Sequence, residues 1–406
     1  MTFTELNGKL REYLFFLLAL SIPLSAAGIS ISIAFIFILL ILEGNLKQKL
    51  KHILSQKYYI AIFVYFLLHL IGQVWIEVEP VNSFKSWMIF LIPFLAISVK
   101  PEVAIKALLV FLYAMMIAEA GVYYNIFIFW DTYAISPGIY NKIFWTISHI
   151  TYTPFLALTI SIALTMMMSN QIYGWRKYLT SFFIITMIVN LFLLGGRAGQ
   201  LVFLFVWILL TLYFFRKNFK GLILMLLSVT LIYLIAWNYS PLFKDRVVKA
   251  VTEVEQYINN RIEDNQLVKT SVGVRLNFME NGIRLFSEKP FLGHGTGSYE
   301  NAIKKFSENS DYQVFTTTNP HNSHILILVQ FGILGALIYL NIFYRQFMEF
   351  KDTSQKYVYR PLMIVMPLFF LFISFYDSYL WGHHSQALFV FLSSIIYRKD
   401  VIKLLS

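Results

Sequence analysis

Three stretches of the sequence place arginine or histidine beside apolar segments, where such side chains could do chemistry. The first is GGRAG at 195–199, which joins two apolar segments with hardly any loop. The glycines are expected to end one helix and begin the next, leaving Arg197 near a helix N-terminus. A guanidinium and free backbone N–H groups could hold a phosphate there. The alternative is an arginine that extends to the membrane surface and marks its edge, but the surrounding glycines favour the anion site.

The second stretch is a helix predicted to begin at Thr270 and to end at Lys289, and it carries two arginines. Arg275 and Arg284 are nine residues apart, which places them on opposite faces of a straight helix. Arg284 has Glu280 four residues before it and is expected to form an ordinary ion pair. Arg275 has no carboxylate at either such position. Arg275 is therefore the candidate for contacting a substrate, and Arg284 is secondary.

The third stretch, NPHNSH at 319–324, directly precedes an apolar segment. Because Asn is a good N-cap and Pro is favoured at the first helical position, Asn319 is expected to cap a helix that has His321 in its first turn. The positive end of the helix dipole would favour the neutral imidazole there, which is the form that a general base needs. The alternative is a histidine that only caps the helix at the membrane interface. Asn322 is a secondary candidate.

Metal and cofactor sites are not expected. His324 could join His321 in a two-histidine set, but no carboxylate or third ligand adjoins them in the sequence. The stretch GHGTG at 293–297 resembles a phosphate loop only superficially, since no strand precedes it and no Lys-Ser/Thr pair follows. Two further candidates border short loops. Lys85 could contact a phosphate or merely anchor a helix, and Asp377 could contact a polar ligand, although capping a helix is the favoured explanation for it.

The elements that must position these groups are apolar helices. Of 406 residues 58% are hydrophobic and 14% charged, and none is Cys, whereas soluble proteins average about 45–50% and about 25%. An all-α polytopic membrane protein with about twelve spans is predicted. The first apolar run, Tyr13–Leu42, would be about 45 Å long as one helix against a core of about 30 Å, so two helices are expected, broken near Pro23 and Gly28. No small-residue cleavage site follows this run, so it is expected to be retained. Ten further spans are predicted at 58–77, 86–99, 103–124, 148–168, 179–195, 199–215, 221–237, 323–344, 361–376 and 380–397.

The net charge of +11 is explained by where the basic residues occur. They lie in alternate loops, which predicts that both termini are cytoplasmic and that the three stretches lie on the outer side. The charge is therefore no sign of a nucleic-acid partner. The predicted organisation is a bundle of about nine spans over 1–237, a periplasmic helical loop over 238–322 and about three spans over 323–406.

In this order, the motifs resemble the O-antigen ligase and polymerase family. The resemblance covers about 195–340, through GGRAG, GVR at 273–275, PFLGHGTG at 290–297, NPHN at 319–322 and QFGILG at 330–335. It implies a membrane glycosyltransferase fold of the C type that acts on undecaprenyl-pyrophosphate-linked glycans at the periplasmic face of the Gram-negative inner membrane. It further implies that Arg197 and Arg275 bind the pyrophosphate and that His321 is the catalytic histidine. Gln330 stands where the family usually has Glu, which removes any role for a carboxylate there but permits one in helix packing.

Within this family, the chain length, the twelve spans and the compact loop favour a ligase. A ligase moves O-antigen onto lipid A–core with inversion and without a metal or cofactor. A polymerase would join repeat units while both substrates stay on the polyprenyl carrier. Protein O-oligosaccharyltransferases share the motifs but usually carry a larger C-terminal outer domain. A transporter would place charged residues inside its spans, where this sequence has few, among them Lys106 and Glu119.

Overall fold

The apolar runs form helices throughout the computed structural model, which describes residues 2–74, 86–128, 142–143, 147–263, 269–310, 314–354 and 356–405. The helices of these ranges are α1 (Phe3–Leu24), α2 (Ala26–Leu42), α3 (Leu46–Leu54), α4 (Lys57–Ile71), α5 (Ile92–Ser98), α6 (Pro101–Ile128), α7 (His149–Met168), α8 (Trp175–Leu193), α9 (Arg197–Phe215), α10 (Phe219–Tyr239), α11 (Pro241–Glu263), α12 (Ser271–Glu288), α13 (Tyr299–Glu308), α14 (Ser323–Asp352), α15 (Arg360–Ile373), α16 (His383–Ile396) and α17 (Lys399–Leu405). Short 3₁₀ turns occupy Trp87–Leu91 and Tyr379–Trp381. Strands β1 (Lys142–Ile143) and β2 (Ile147–Ser148) pair antiparallel just before α7.

Six described helices are long and apolar enough to cross a membrane, namely α6, α7, α8, α9, α10 and α14. Helices α2 and α3 pass the same test together but are bent by 114° between them, so counting them as one span gives seven. The fold is therefore that of an all-α polytopic membrane protein. The predicted number of twelve spans is not confirmed: α4 has 15 residues and α15 and α16 have 14 each, whereas a hydrocarbon core of about 30 Å needs about 20.

The first apolar run forms two helices, as predicted. Ser25 separates them in an extended conformation, and its side chain accepts a hydrogen bond from the backbone N–H of Gly28. A Cβ at Gly28 would overlap the side chain of Ser21. The absence of a side chain at Gly28 therefore lets the start of α2 pack closely against the end of α1.

Helix α7 lies at the centre of the bundle and has the largest buried share of the six candidate spans, while α10 has the smallest. Helix α9 packs directly on α7, and two of its glycines make this possible. A Cβ at Gly196 or Gly199 would overlap Thr153 of α7. This close approach places the first residue of α9, Arg197, beside the N-terminal part of α7.

Helix α14 is interrupted at Gly332, which has φ 61° and ψ −157°. The loop between α12 and α13 pairs with this break through its backbone. His294 N–H donates to Val329 C=O (2.9 Å), and Gly295 N–H donates to Gln330 C=O (2.8 Å). Such pairing satisfies backbone groups that a broken span would otherwise leave unpaired in the membrane. The side chain of Gln330 is buried here, in keeping with a packing role.

Replacing Gly293 with alanine is expected to destabilise the protein strongly. Gly293 has φ +67°, and a Cβ there would overlap the backbone of Gln330 and Phe331. Gly174 is the matched control, since its φ is +60° and nothing lies within 4 Å of its Cβ position. We expect the control to lose about 1–3 kcal/mol from backbone strain and Gly293→Ala to lose more. Thermal unfolding of the detergent-purified protein measures both, and equal losses would show that the overlap is relieved without cost.

Candidate functional site

The helix ends that carry the three sequence stretches meet around one cavity of about 270 Å³. Arg197, Arg275 and His321 all line it, together with Asn322 and Tyr376. The rest of the wall is mostly apolar side chains of α9, α11 and α12. Residues that are more than 120 positions apart in the sequence thus face a common space, as a shared site requires.

Larger cavities lie elsewhere and offer less chemistry. One of about 360 Å³ is a largely apolar groove between α8 and α10. Another of about 680 Å³ surrounds Arg11 and Glu43, whose side chains already form an ion pair of 2.5 Å. Neither is lined by a histidine. We therefore take the smaller cavity as the candidate site on the grounds of its side chains.

Arg197 is the first residue of α9, and the sharp entry to this helix uses Gly195 at φ +64° and the N-cap Gly196. Its Nη1 lies 3.5 Å from Oε2 of Glu253 on α11. Its Nε is buried and has no hydrogen-bond partner among the described residues. The guanidinium therefore has a donor that no described residue satisfies.

Arg275 projects into the cavity from the second turn of α12. This helix begins where predicted, because Thr270 caps it by accepting a hydrogen bond from the backbone N–H of Gly273 (3.1 Å). Within the described ranges Arg275 makes no ion pair. Arg284 pairs with Glu280 at 2.9 Å and is not among the residues lining the cavity. The predicted opposition of the two arginines is thus confirmed.

The predicted span at 323–344 begins where α14 does, but the predicted cap was wrong, and with it the placement of His321 in a helical turn. Asn322, not Asn319, is the N-cap, and its side-chain oxygen accepts from the backbone N–H groups of His324 (2.9 Å) and Ile325 (3.1 Å). Asn319 instead accepts from the backbone N–H of His321 (3.0 Å). His321 itself has φ 51°, outside the helix. Asn322 adjoins the apolar run and reaches the first-turn amides, and His321 therefore lies before the helix rather than in its first turn.

Asp377 is the side chain that contacts the ring of His321. Its Oδ1 lies 2.9 Å from Nδ1 of His321 and also accepts from the backbone N–H of Ser378 (2.8 Å). Because a carboxylate can only accept hydrogen bonds, Nδ1 carries a proton, and in the neutral imidazole Nε2 is therefore the nitrogen that can accept one. The ring also stacks near Phe278, with centroids 6.4 Å apart. This arrangement fixes both the tautomer and the orientation of the imidazole.

Two other residues were proposed from the sequence, His324 as a metal ligand and Lys85 as a phosphate contact. Nε2 of His324 contacts the backbone oxygen of Leu371 at 3.0 Å, and its ring packs on Phe375, so the two-histidine set does not form. In the part of the chain that the structure describes, no group of three or more His, Asp or Glu could hold a metal ion. Lys85 lies outside the described residues.

The loop at 293–297 is structural in this fold. Thr296 donates from its backbone N–H to Gly72 C=O (3.0 Å) and from its hydroxyl to His69 C=O (2.7 Å). The Nε2 atom of His294 contacts the backbone oxygen of Leu285. The loop thus joins the end of α4 to the break in α14, and it does not line the cavity.

Two residues of the site were missed or undervalued by sequence reasoning. Glu253 contacts Arg197 from a charged helix 56 positions later, and Asp377 contacts His321 across the same separation. A carboxylate in a mixed-charge helix gives no sign of its partner. Asp377 was a candidate because it borders a short loop, but nothing in the sequence linked it to His321.

Residues 182–340 match a family model described as O-antigen ligase. A protein of Haemophilus influenzae (strain ATCC 51907 / DSM 11121 / KW20 / Rd), named only as an uncharacterized protein, is 30% identical over 193 residues. The match covers 44% of this chain and 45% of that protein, so the chain spans less than half the length of this relative. The family match includes Arg197, Arg275 and His321 and ends before Asp377.

Proposed function

Since the chain belongs to the O-antigen ligase family through residues 182–340, we propose that it transfers undecaprenyl-pyrophosphate-linked O-antigen onto lipid A–core. In this proposal it is a glycosyltransferase of the Gram-negative inner membrane with a periplasmic active site. The observation that carries the proposal is the single cavity lined by Arg197, Arg275 and His321. Two cations beside one basic imidazole suit a reaction in which a diphosphate departs and a hydroxyl attacks.

The two arginines would act on the leaving group. As the bond between the sugar anomeric carbon and the phosphate oxygen breaks, negative charge grows on the lipid diphosphate. Guanidinium groups bind phosphate oxygens through paired, charge-assisted hydrogen bonds, and in a partly apolar cavity such preorganised donors stabilise developing charge effectively. Arg197 and Arg275 can therefore do in this site what a divalent cation does in other glycosyltransferases.

His321 would act on the acceptor. Its Nε2 takes the proton of the attacking sugar hydroxyl as the new bond to the anomeric carbon forms from the opposite face, which inverts the configuration. The imidazolium that results is stabilised by Asp377, whose carboxylate already lies 2.9 Å from Nδ1. One base and one activated donor complete the reaction, so the proposal includes no cofactor.

The proposal includes an orientation of the chain. Basic residues in alternate loops support cytoplasmic termini and twelve spans, and the family resemblance implies a C-type glycosyltransferase fold. The segment 238–322, which contains α11, α12 and α13, is then periplasmic. In this orientation the cavity opens where lipid-linked glycans and lipid A–core, together with membrane lipids, are available.

The decisive experiment is transfer by the purified protein supplied with a polyprenyl-pyrophosphate glycan and lipid A–core. Glycan found on lipid A–core supports the ligase. Glycan found only as longer chains on the carrier would show a polymerase, the alternative within the family. No new glycosidic bond in either place, with protein that elutes as one species, would overturn the proposal.

Transfer is expected to continue in the presence of a chelator, because Arg197 and Arg275 supply the positive charge at the leaving group. The measurement is the initial rate with and without EDTA on protein dialysed against it. A rate that falls sharply and is restored by added Mg²⁺ or Mn²⁺ would contradict the assignment of this role to the arginines.

A further inference from the structure

Glu253 is a carboxylate that contacts two residues in the wall of a cavity expected to bind an anion. Its side chain is only 15% exposed. Its Oε2 lies 3.5 Å from Nη1 of Arg197 and accepts a hydrogen bond from the backbone N–H of Val272 at 3.1 Å. Both Arg197 and Val272 line the candidate cavity. One carboxylate oxygen thus contacts donors of two residues that line the site.

These two donors are of the kind that bind phosphate. Arg197 is a guanidinium at the start of α9, and Val272 presents one of the N–H groups that the first turn of the 18-residue α12 leaves unpaired. Such N–H groups and the positive end of the helix favour an anion. A carboxylate oxygen resembles a phosphate oxygen in charge and in accepting hydrogen bonds. Glu253 therefore stands where an oxygen of a bound phosphate could stand.

The contact with Arg197 is longer than a strong charge-assisted hydrogen bond, which measures about 2.7–2.9 Å. It holds the guanidinium in place without using all its donors, since Nε has no partner in the described ranges. A diphosphate carries more negative charge than one carboxylate and can accept more hydrogen bonds. It is thus able to displace Glu253 from both donors.

We propose that Glu253 is a positioning residue that holds Arg197 and the start of α12 ready for one phosphate of the donor and yields this place when the diphosphate binds. The identity of the anion rests on the proposed function. Competition from Glu253 weakens the binding of both the donor and the lipid diphosphate product. The carboxylate thereby sets how readily the product leaves.

The first test is binding of inorganic pyrophosphate to the full-length protein, measured by calorimetry. Glu253→Gln removes the charge but keeps an oxygen that can accept from Val272. We expect pyrophosphate to bind about tenfold more tightly, the size of effect given by one partly buried competing charge. Glu255→Gln is the matched control, because it removes the same charge from an exposed position on the same helix, and its affinity should stay near that of the unchanged protein.

The second test is transfer kinetics. Glu253→Gln should lower KM for the lipid-linked donor and also lower kcat, because the product leaves more slowly. A role only in holding helices together would not produce this split. Glu253→Ala removes the acceptor as well and should change the pyrophosphate affinity in the same direction, so the test stands on whichever variant folds.

Unchanged or weaker pyrophosphate binding in these variants overturns the inference, and so does the absence of binding in every form of the protein. Transfer activity distinguishes this failure from that of the proposed function. If the protein transfers glycan but Glu253→Gln does not bind pyrophosphate more tightly, the proposed function stands and the inference about Glu253 is wrong. If Glu253→Gln binds pyrophosphate more tightly but the protein forms no glycosidic bond, the inference about Glu253 stands and the proposed function is wrong.

Discussion

Replacing His321 with alanine is expected to reduce the rate of glycan transfer by about 10²–10⁴-fold, the usual contribution of a positioned general base. The variant should still enter the membrane and accumulate, because His321 lies outside α14 and makes no contact that this helix needs for its cap. Asn322 performs that role. The measurement is the initial transfer rate normalised to the amount of purified protein that elutes as one species.

Asp377→Asn provides a graded companion to this variant. The amide oxygen can still accept from Nδ1–H, but the negative charge that stabilises the imidazolium is gone, and the amide nitrogen can favour the wrong tautomer. We expect a loss smaller than that of His321→Ala. If His321→Ala retains full transfer, the histidine has no part in the chemistry, and the assignment of Asp377 fails with it.

Alanine in place of Arg197 or Arg275 is expected to lower transfer by about 10²–10³-fold for each, as for the loss of one preorganised donor to developing charge. Lysine at either position should restore little, because its ammonium is a single point charge and cannot form the paired hydrogen bonds of a guanidinium. Arg275 gives the cleaner result of the two. Arg197→Ala also leaves the carboxylate of Glu253 without its cation, so its effect on protein yield must be measured alongside the rate.

Arg284→Ala is the control for these variants. Arg284 belongs to the same helix as Arg275, but its side chain is half exposed and pairs with Glu280, an interaction worth about 0.3–0.5 kcal/mol. Transfer by this variant should stay close to that of the unchanged protein. A loss equal to that of Arg275→Ala would show that general positive charge near the site, rather than its placement in the cavity, supports transfer.

The sequence alone was sufficient for features that depend on neighbouring residues. The apolar runs predicted the helices, and Thr270 and Lys289 predicted the ends of α12. The nine-residue spacing of Arg275 and Arg284 predicted that they diverge. Each of these follows from helix geometry or from a cap that lies within a few positions of the groups it satisfies.

The tertiary structure alone decided how the site is assembled. The local pattern predicted Asn319 as the cap of α14, whereas Asn322 is the cap. His321 receives its partner Asp377, and Arg197 its partner Glu253, across 56 positions each. Whether these pairs come into contact depends on how α9 packs on α7 through Gly196 and Gly199 and on where α15 ends. Such long-range packing is a property of the whole bundle, so no spacing rule within one stretch of sequence could have predicted it.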